Sequence, residues 1–323
     1  MSPLLFNMTV MESLADHRTA LLTKFFLGVT SFGTFNVYVL IITLIYVAWN
    51  KQLAIRLSVL LLVTASLDGL LKLTIRNPRP FVSDGTYLKK WAVSPETARG
   101  LATEYSTPSG HAMSAAAFYS YLFAAMKNGY VRVAAVLAIV LVGLSRSYLG
   151  VHYVEDVLLG WVLGLGCALV SIRYAGAVGD LWNKLSYGAQ IGIAVMGSVA
   201  LWVLALAVSG GHVGGESVGF LADGGFLTGI VIARPLELRN LNFDPGSSHF
   251  VAKGLRCFLT IGLVIGTVEI LGMAFGGVSS GSAVLGIVLL YVRFTAAGVV
   301  NIFLAPLLFT RIGLARRMRA AVD

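Results

Sequence analysis

A histidine and an aspartate one helical turn apart, His152 and Asp156, close the stretch SRSYLGVHYVED (Ser145 to Asp156). At that spacing the two side chains share a helix face. The carboxylate can accept a hydrogen bond from one ring nitrogen and leave the other as a nucleophile, the orienter–base logic of catalytic triads. A structural pair, or half of a metal site, is the alternative. No second His or thiolate lies nearby, and the helical zinc-protease signature is absent. Arg146 in the same stretch adds a fixed cation.

Two further stretches have residue types suited to an anion. KLTIRNPRP (Lys72 to Pro80) supplies Lys72 and Arg79, and an Arg can hold a phosphate through two parallel hydrogen bonds. Its bland reading is a basic stop at a helix end, with Pro78 and Pro80 breaking the helix. PSGH (Pro108 to His111) precedes an apolar run. A helix starting there presents unpaired N–H groups and a positive dipole end. Ser109 adds a hydroxyl, and Gly110 lets the backbone approach an anion closely. An N-cap serine followed by an interfacial His is the alternative.

The elements that must position these residues are apolar. The chain has 323 residues, 57% hydrophobic and 12% charged, against about 25% charged for an average soluble protein. The apolar residues fall in runs of membrane-spanning length, about 17–25 residues. We expect an all-α polytopic membrane bundle, because a spanning segment satisfies its backbone hydrogen bonds internally. Nine spans are expected, near 26–48, 53–73, 111–127, 130–149, 153–172, 189–208, 217–233, 257–275 and 284–309, the seventh short and Gly-rich. A long polar insert covers 74–110. No cleavable signal peptide is expected in the first 25 residues. Cys167 and Cys257, in or beside apolar runs, read as packing residues.

With nine spans, all three stretches reach one side of the membrane, the side of the 74–110 insert. The loops 209–216 and 276–283 on that side contain no Lys or Arg. The opposite connections carry Lys51, Arg56, Lys127, Arg132, Arg173, Lys184, Arg234, Arg239, Lys253 and Arg256, and the tail adds Arg311, Arg316, Arg317 and Arg319. The positive-inside rule makes this second side cytoplasmic. The three stretches then face periplasm, exterior or lumen, and the C-terminus is cytoplasmic. The insert is itself basic (Arg76, Arg79, Lys89, Lys90, Arg99), an exception accommodated if those charges bind substrate.

The set K-x6-R-P, P-S-G-H and S-R-x5-H-x3-D resembles the signature of the type 2 phosphatidate phosphatase superfamily, whose members include lipid phosphate phosphatases and polyprenyl diphosphate phosphatases. Every signature position is matched: Lys72, Arg79, Pro80, Pro108, Ser109, Gly110, His111, Ser145, Arg146, His152 and Asp156. The resemblance covers about residues 25 to 208. It implies a six-helix phosphatase core at 26–208, after an N-terminal segment 1–25 and before a C-terminal transmembrane extension 209–323 of about three spans.

The resemblance also implies roles. His152 would attack phosphorus, oriented by Asp156, and His111 would protonate the leaving oxygen and later activate water. Lys72, Arg79, Arg146, Ser109 and the Gly110 N–H would hold the phosphoryl oxygens. Cationic clamping and positioning are what phosphoryl transfer chiefly requires, so neither metal nor other cofactor is expected. The substrate would be a lipid phosphate (phosphatidate-like, polyprenyl diphosphate or sphingoid) taken from the membrane. Neither nucleic acid nor an obligatory protein partner is implied. A phosphotransferase with the same chemistry is the closest rival, and an anion or lipid transporter the rival from another class. Outside the site, Asp68 lies one turn before Lys72, and Glu155 is a bystander. Glu269 and Arg293 sit in expected spans, where charges are costly, and a structural pair between them is favoured. His212 and His249 read as loop residues.

Overall fold

The computed structural model of the chain describes residues 4, 6–211, 215–246, 249–279 and 282–318. His212 and Arg319 lie outside them. The helices are α1 (Met8–Asp16), α2 (Ala20–Thr30), α3 (Phe35–Ala48), α4 (Lys51–Ile75), α5 (Tyr87–Lys90), α6 (Pro95–Leu101), α7 (Gly110–Ala125), α8 (Gly129–Tyr148), α9 (Val154–Lys184), α10 (Tyr187–Val208), α11 (Gly215–Asn240), α12 (Phe250–Ser279), α13 (Ala283–Val299) and α14 (Ala305–Arg311). The described strands are two short segments, β1 (Phe243–Asp244) and β2 (Arg316–Arg317), paired antiparallel.

Among the described residues, seven helices are long and apolar enough to cross a membrane, or eight if the bent pair α2–α3 is one span. The chain is an all-α integral membrane protein. Two differences from the expected spans concern the site. The run 26–48 is not one straight helix. It breaks by 53° between α2 and α3, where Thr34 adopts an extended backbone conformation after the short 3-10 turn Ser31–Gly33. The run 111–127 gives α7, of 16 residues. At 1.5 Å per residue that is about 24 Å, shorter than a hydrocarbon core of about 30 Å. The seventh expected span, by contrast, extends to a helix of 26 residues, α11.

The chain divides into two compact units. One comprises Met1–Tyr38 and Val63–Gly176, the other Val39–Leu62 and Ala177–Asp323. In the first, α7 packs on α8, and α2 packs on α8. Gly160 and Gly164 let α9 meet α7 backbone to backbone. A Cβ at Gly160 would lie 2.8 Å from the Ser109 carbonyl, and one at Gly164 2.2 Å from the Met113 carbonyl. Such small-xxx-small contacts are how helices approach closely in a bilayer. On the neighbouring seam, Gly143 of α8 accommodates the Trp161 ring of α9. A separate cluster of Met11, Phe81, Trp91, Tyr148, Leu149, Val151 and Tyr153 packs α1 against the insert and the α8–α9 turn.

In the second unit, α11 packs on α13 through Gly225, Gly229 and Gly298. A buried ion pair joins Lys51 Nζ to Glu237 Oε1 at 2.9 Å, and Arg234 holds the other Glu237 oxygen at 2.8 Å. Arg256, fully buried, donates to the carbonyls of Val47, Pro245 and Leu314. Glu269 and Arg293 make no ion pair within 4 Å among the described residues. The Arg293 guanidinium lies over Gly272, where a Cβ would come within 2.6 Å of Cζ.

Candidate active site

The site lies in the first unit, where α4 ends, α7 begins and α8 turns into α9. The α8–α9 turn is tight because Gly150 takes a positive φ of 86°. This holds His152 just before the first residue of α9, with Asp156 in its first turn. Both are buried.

Arg79 Nη1 lies 2.8 Å from His152 Nε2 and also donates to the Val151 carbonyl at 3.0 Å. A guanidinium has no acceptor, so Nε2 is the bare nitrogen and Nδ1 holds the proton. Nδ1 is 3.4 Å from Ser106 Oγ and 3.5 Å from Asp156 Oδ2. The Ser106 hydroxyl donates to the same Oδ2. The Nδ1–H therefore faces both the carboxylate and the hydroxyl bound to it. Burial first, then Arg79, Arg146 and Lys72, pulls the His152 pKa well below its ordinary value. The ring is neutral with its lone pair at Nε2.

Asp156 is fixed on every side. Thr107 Oγ1 donates to Oδ1 at 2.5 Å, the Tyr153 N–H to Oδ2 at 2.9 Å, and the Asp156 carbonyl accepts from the Ser109 N–H at 3.1 Å. This last contact continues the α7–α9 seam, since Asp156, Gly160 and Gly164 are spaced by one helical turn each. The sequence pattern does not single out Ser106 or Thr107, which reach Asp156 from a loop some fifty residues earlier.

The cations converge from three segments. Lys72, in the last turn of α4, pairs with Asp68 Oδ2 at 3.0 Å. Arg79 Nη2 pairs with Glu104 Oε2 at 2.8 Å. Burial lowers the Arg79 pKa, and Glu104 opposes that shift. Arg146 Nη1 donates to Thr30 Oγ1 at 2.7 Å, from the end of α2. Ser109 occupies the N-cap position of α7 without a side-chain capping bond. Gly110 packs against Asp68, whose Oδ2 would be 2.6 Å from a Cβ there. His111 packs against Gly33 at the α2–α3 break, within electrostatic reach of Arg146, His152, Lys72 and Arg79. The eight site residues expected from sequence thus lie in one unit around a shared centre.

Three polar atoms of this group, Arg79 Nε, Arg146 Nε and Ser109 Oγ, are buried with no hydrogen-bond partner among the described residues. Buried polar groups are normally satisfied. Three such donors in one cationic site suit an anion with several oxygens.

Comparison with known proteins gives the same direction. The model of the PAP2 superfamily matches residues 53–180, and that of the PAP2 superfamily phosphatase transmembrane extension matches residues 221–317. The chain belongs to the PAP2 superfamily. The first match therefore covers every PAP2 residue named above from Lys72 to Asp156. Among curated PAP2-like relatives, phosphatidylglycerophosphatase B of Bacillus subtilis (strain 168) is 38% identical over 110 residues, 30% of this chain. That match spans 53% of the relative's own length. Undecaprenyl-diphosphatase of Sulfolobus acidocaldarius is 25% identical over 170 residues, 52% of this chain and 78% of the relative. The crystal structure of Aquifex aeolicus LpxE is similar at a TM-score of 0.43 and 22% identity, covering 52% of this chain and 95% of that one.

Proposed function

We propose that the protein is a membrane lipid phosphatase that hydrolyses a phosphomonoester or diphosphate of a lipid through a phosphohistidine at His152. The three unpartnered buried donors, Arg79 Nε, Arg146 Nε and Ser109 Oγ, support this reading most directly. With Lys72 and the Gly110 N–H they hold the three equatorial phosphoryl oxygens, where charge accumulates in the transition state. His152 Nε2 leaves its hydrogen bond to Arg79 and attacks phosphorus as the P–O bond to the lipid breaks. His111 gives its proton to the leaving oxygen. It then takes one from water, which attacks phosphorus and releases phosphate from Nε2. Asp156 stabilises the proton on Nδ1 throughout.

The similarity to a phosphatidylglycerophosphatase B and an undecaprenyl-diphosphatase supports a lipid phosphate as the substrate. The residue roles rest on the site geometry. The catalytic work is assigned to residues 26–208, with 209–323 as the transmembrane extension. The site faces periplasm, exterior or lumen, because the connections on the opposite side hold most of the Lys and Arg.

Phosphate release from a panel of lipid phosphates by purified protein in detergent, with a strong chelator present, tests the reading. Activity on at least one lipid phosphate is expected. His152→Ala should abolish it, and rapid quenching without acid should trap phosphohistidine in the parent. Full activity in His152→Ala would overturn the mechanism. Loss of activity in chelator, restored by magnesium or zinc, would overturn the metal-free site.

A further inference from the structure

Every group so far assigned to the phosphoryl oxygens is a donor. Asp68 breaks that pattern. Its Oδ2 pairs with Lys72 and packs against Gly110 at the first turn of α7, so the carboxylate stands among the phosphate-binding groups. Its other oxygen, Oδ1, is buried and accepts no hydrogen bond among the described residues. The charged groups that act on it are Lys72 from its own helix, Arg79 from the insert, and Glu104, which Arg79 holds. An ionised carboxylate can only accept. A buried acceptor in a ring of donors is satisfied by an oxygen that bears a proton.

We propose that Asp68 is a specificity-determining residue whose Oδ1 accepts a hydrogen bond from a P–OH of the bound phosphoryl group. This rests on the reading of the site as a phosphate pocket. The chemical consequence is selection for a terminal phosphoryl group in its singly protonated form. A phosphomonoester or the end group of a diphosphate has a second pKa near 6, so it can bring that proton. A phosphodiester has no ionisable oxygen left to bear one, and sulfate, of the same shape and charge as the phosphate dianion, has none at neutral pH. Either would set an oxygen lone pair against Oδ1.

Inorganic phosphate, which keeps a P–OH at this pH, and sulfate, which has none, titrated separately into the purified parent protein at about pH 6, near the second pKa of a phosphomonoester, form the test, with binding read by calorimetry. Phosphate should bind about 10- to 100-fold more tightly, the range expected when a buried acceptor is left unsatisfied. In Asp68→Asn the amide can turn a donor toward the ligand, and sulfate should approach phosphate in affinity. The falling limb of the kcat/KM profile should also move to higher pH, because the dianion becomes acceptable. Equal binding of the two ions by the parent would overturn the assignment of Asp68 and leave the phosphatase reading intact. Absence of phosphate binding, together with absence of phosphate release from any lipid, would overturn both. The comparison within the parent decides the matter even if Asp68→Asn does not fold.

Discussion

Arg79 donates to His152 Nε2 at 2.8 Å, so the residue proposed to hold the phosphate also fixes the tautomer of the proposed nucleophile. The contact can exist only with Nε2 unprotonated.

That relationship predicts a pH dependence. The His152 pKa lies well below its ordinary value because of burial first and Arg79 second. The rising acid limb of kcat/KM, which reports the free enzyme, should fall below the ordinary histidine value of about 6.5. Arg79→Gln should lower activity and move that limb upward, a shift that substrate ionisation cannot mimic. For stability the sign is the same. The unfolded chain takes up the proton near pH 6.5 and the folded one does not, so the contribution of His152 is complete above about 6.5 and lost as pH falls toward the folded pKa. An acid limb unmoved by Arg79→Gln would contradict the coupling.

Ser106 and Thr107 act through Asp156. Each gives the carboxylate a hydrogen bond, and bonds to a charged group contribute about 1.5–3 kcal/mol. Ser106→Ala and Thr107→Val should each lower kcat about 10- to 100-fold with little change in KM, since neither is expected to touch substrate. Thr107→Ser should recover most of the loss. A change confined to KM would instead place these hydroxyls on the substrate.

These two residues also show where the sequence stops being legible. His152 and Asp156 are readable from their four-residue spacing, although His152 itself precedes α9, and Lys72, Arg79 and Ser109 because they stand at or just beyond helix ends. Ser106 and Thr107 sit before a proline in a polar insert and gain meaning only when α9 is brought against α7. The short helices α5 and α6 within that insert and the docking of α1 are equally tertiary. Leu4 N–H donates to Asn77 Oδ1, and Arg18 to the carbonyls of Tyr148 and Lys90, contacts that no local periodicity encodes. Glu155, set aside as a bystander, accepts from the Asn7 N–H at 3.0 Å. The α7–α9 approach did leave a signal: Gly160 and Gly164 continue the Asp156 face at four-residue spacing.

The glycine seam yields its own prediction. A Cβ at Gly164 would meet the Met113 carbonyl at 2.2 Å, whereas Gly166, on the same helix, has nothing within 4 Å. Gly164→Leu should separate α9 from α7, with overpacking costing about 1–3 kcal/mol, and should lower both the Tm and the activity. Gly166→Leu should leave both near the parent values. Equal effects of the two would show that the seam does not set the site.

Topology decides which lipid pool the site can reach. The connections at 127–132, 173–187 and 234–256 are rich in Lys and Arg, and short loops of this kind orient a bundle with those residues in the cytoplasm. The loop containing Ser83 must then face outward. The short, Gly-rich span 217–233 belongs to α11, whose 26 residues correspond to about 39 Å at 1.5 Å per residue, long enough to cross. If α11 crosses, Ser282 lies on the same side as Ser83, and Asn240 lies opposite. Single cysteines at these three exposed positions, in a Cys167→Ala, Cys257→Ala background, separate the possibilities. A membrane-impermeant thiol reagent on intact cells should label Ser83→Cys and Ser282→Cys, and should label Asn240→Cys only after lysis. Labelling of Asn240→Cys but not Ser282→Cys in intact cells, with Ser83→Cys also labelled, would mean that α11 returns to the side it left. Protection of Ser83→Cys would reverse the whole orientation and put the site in contact with the cytoplasmic leaflet.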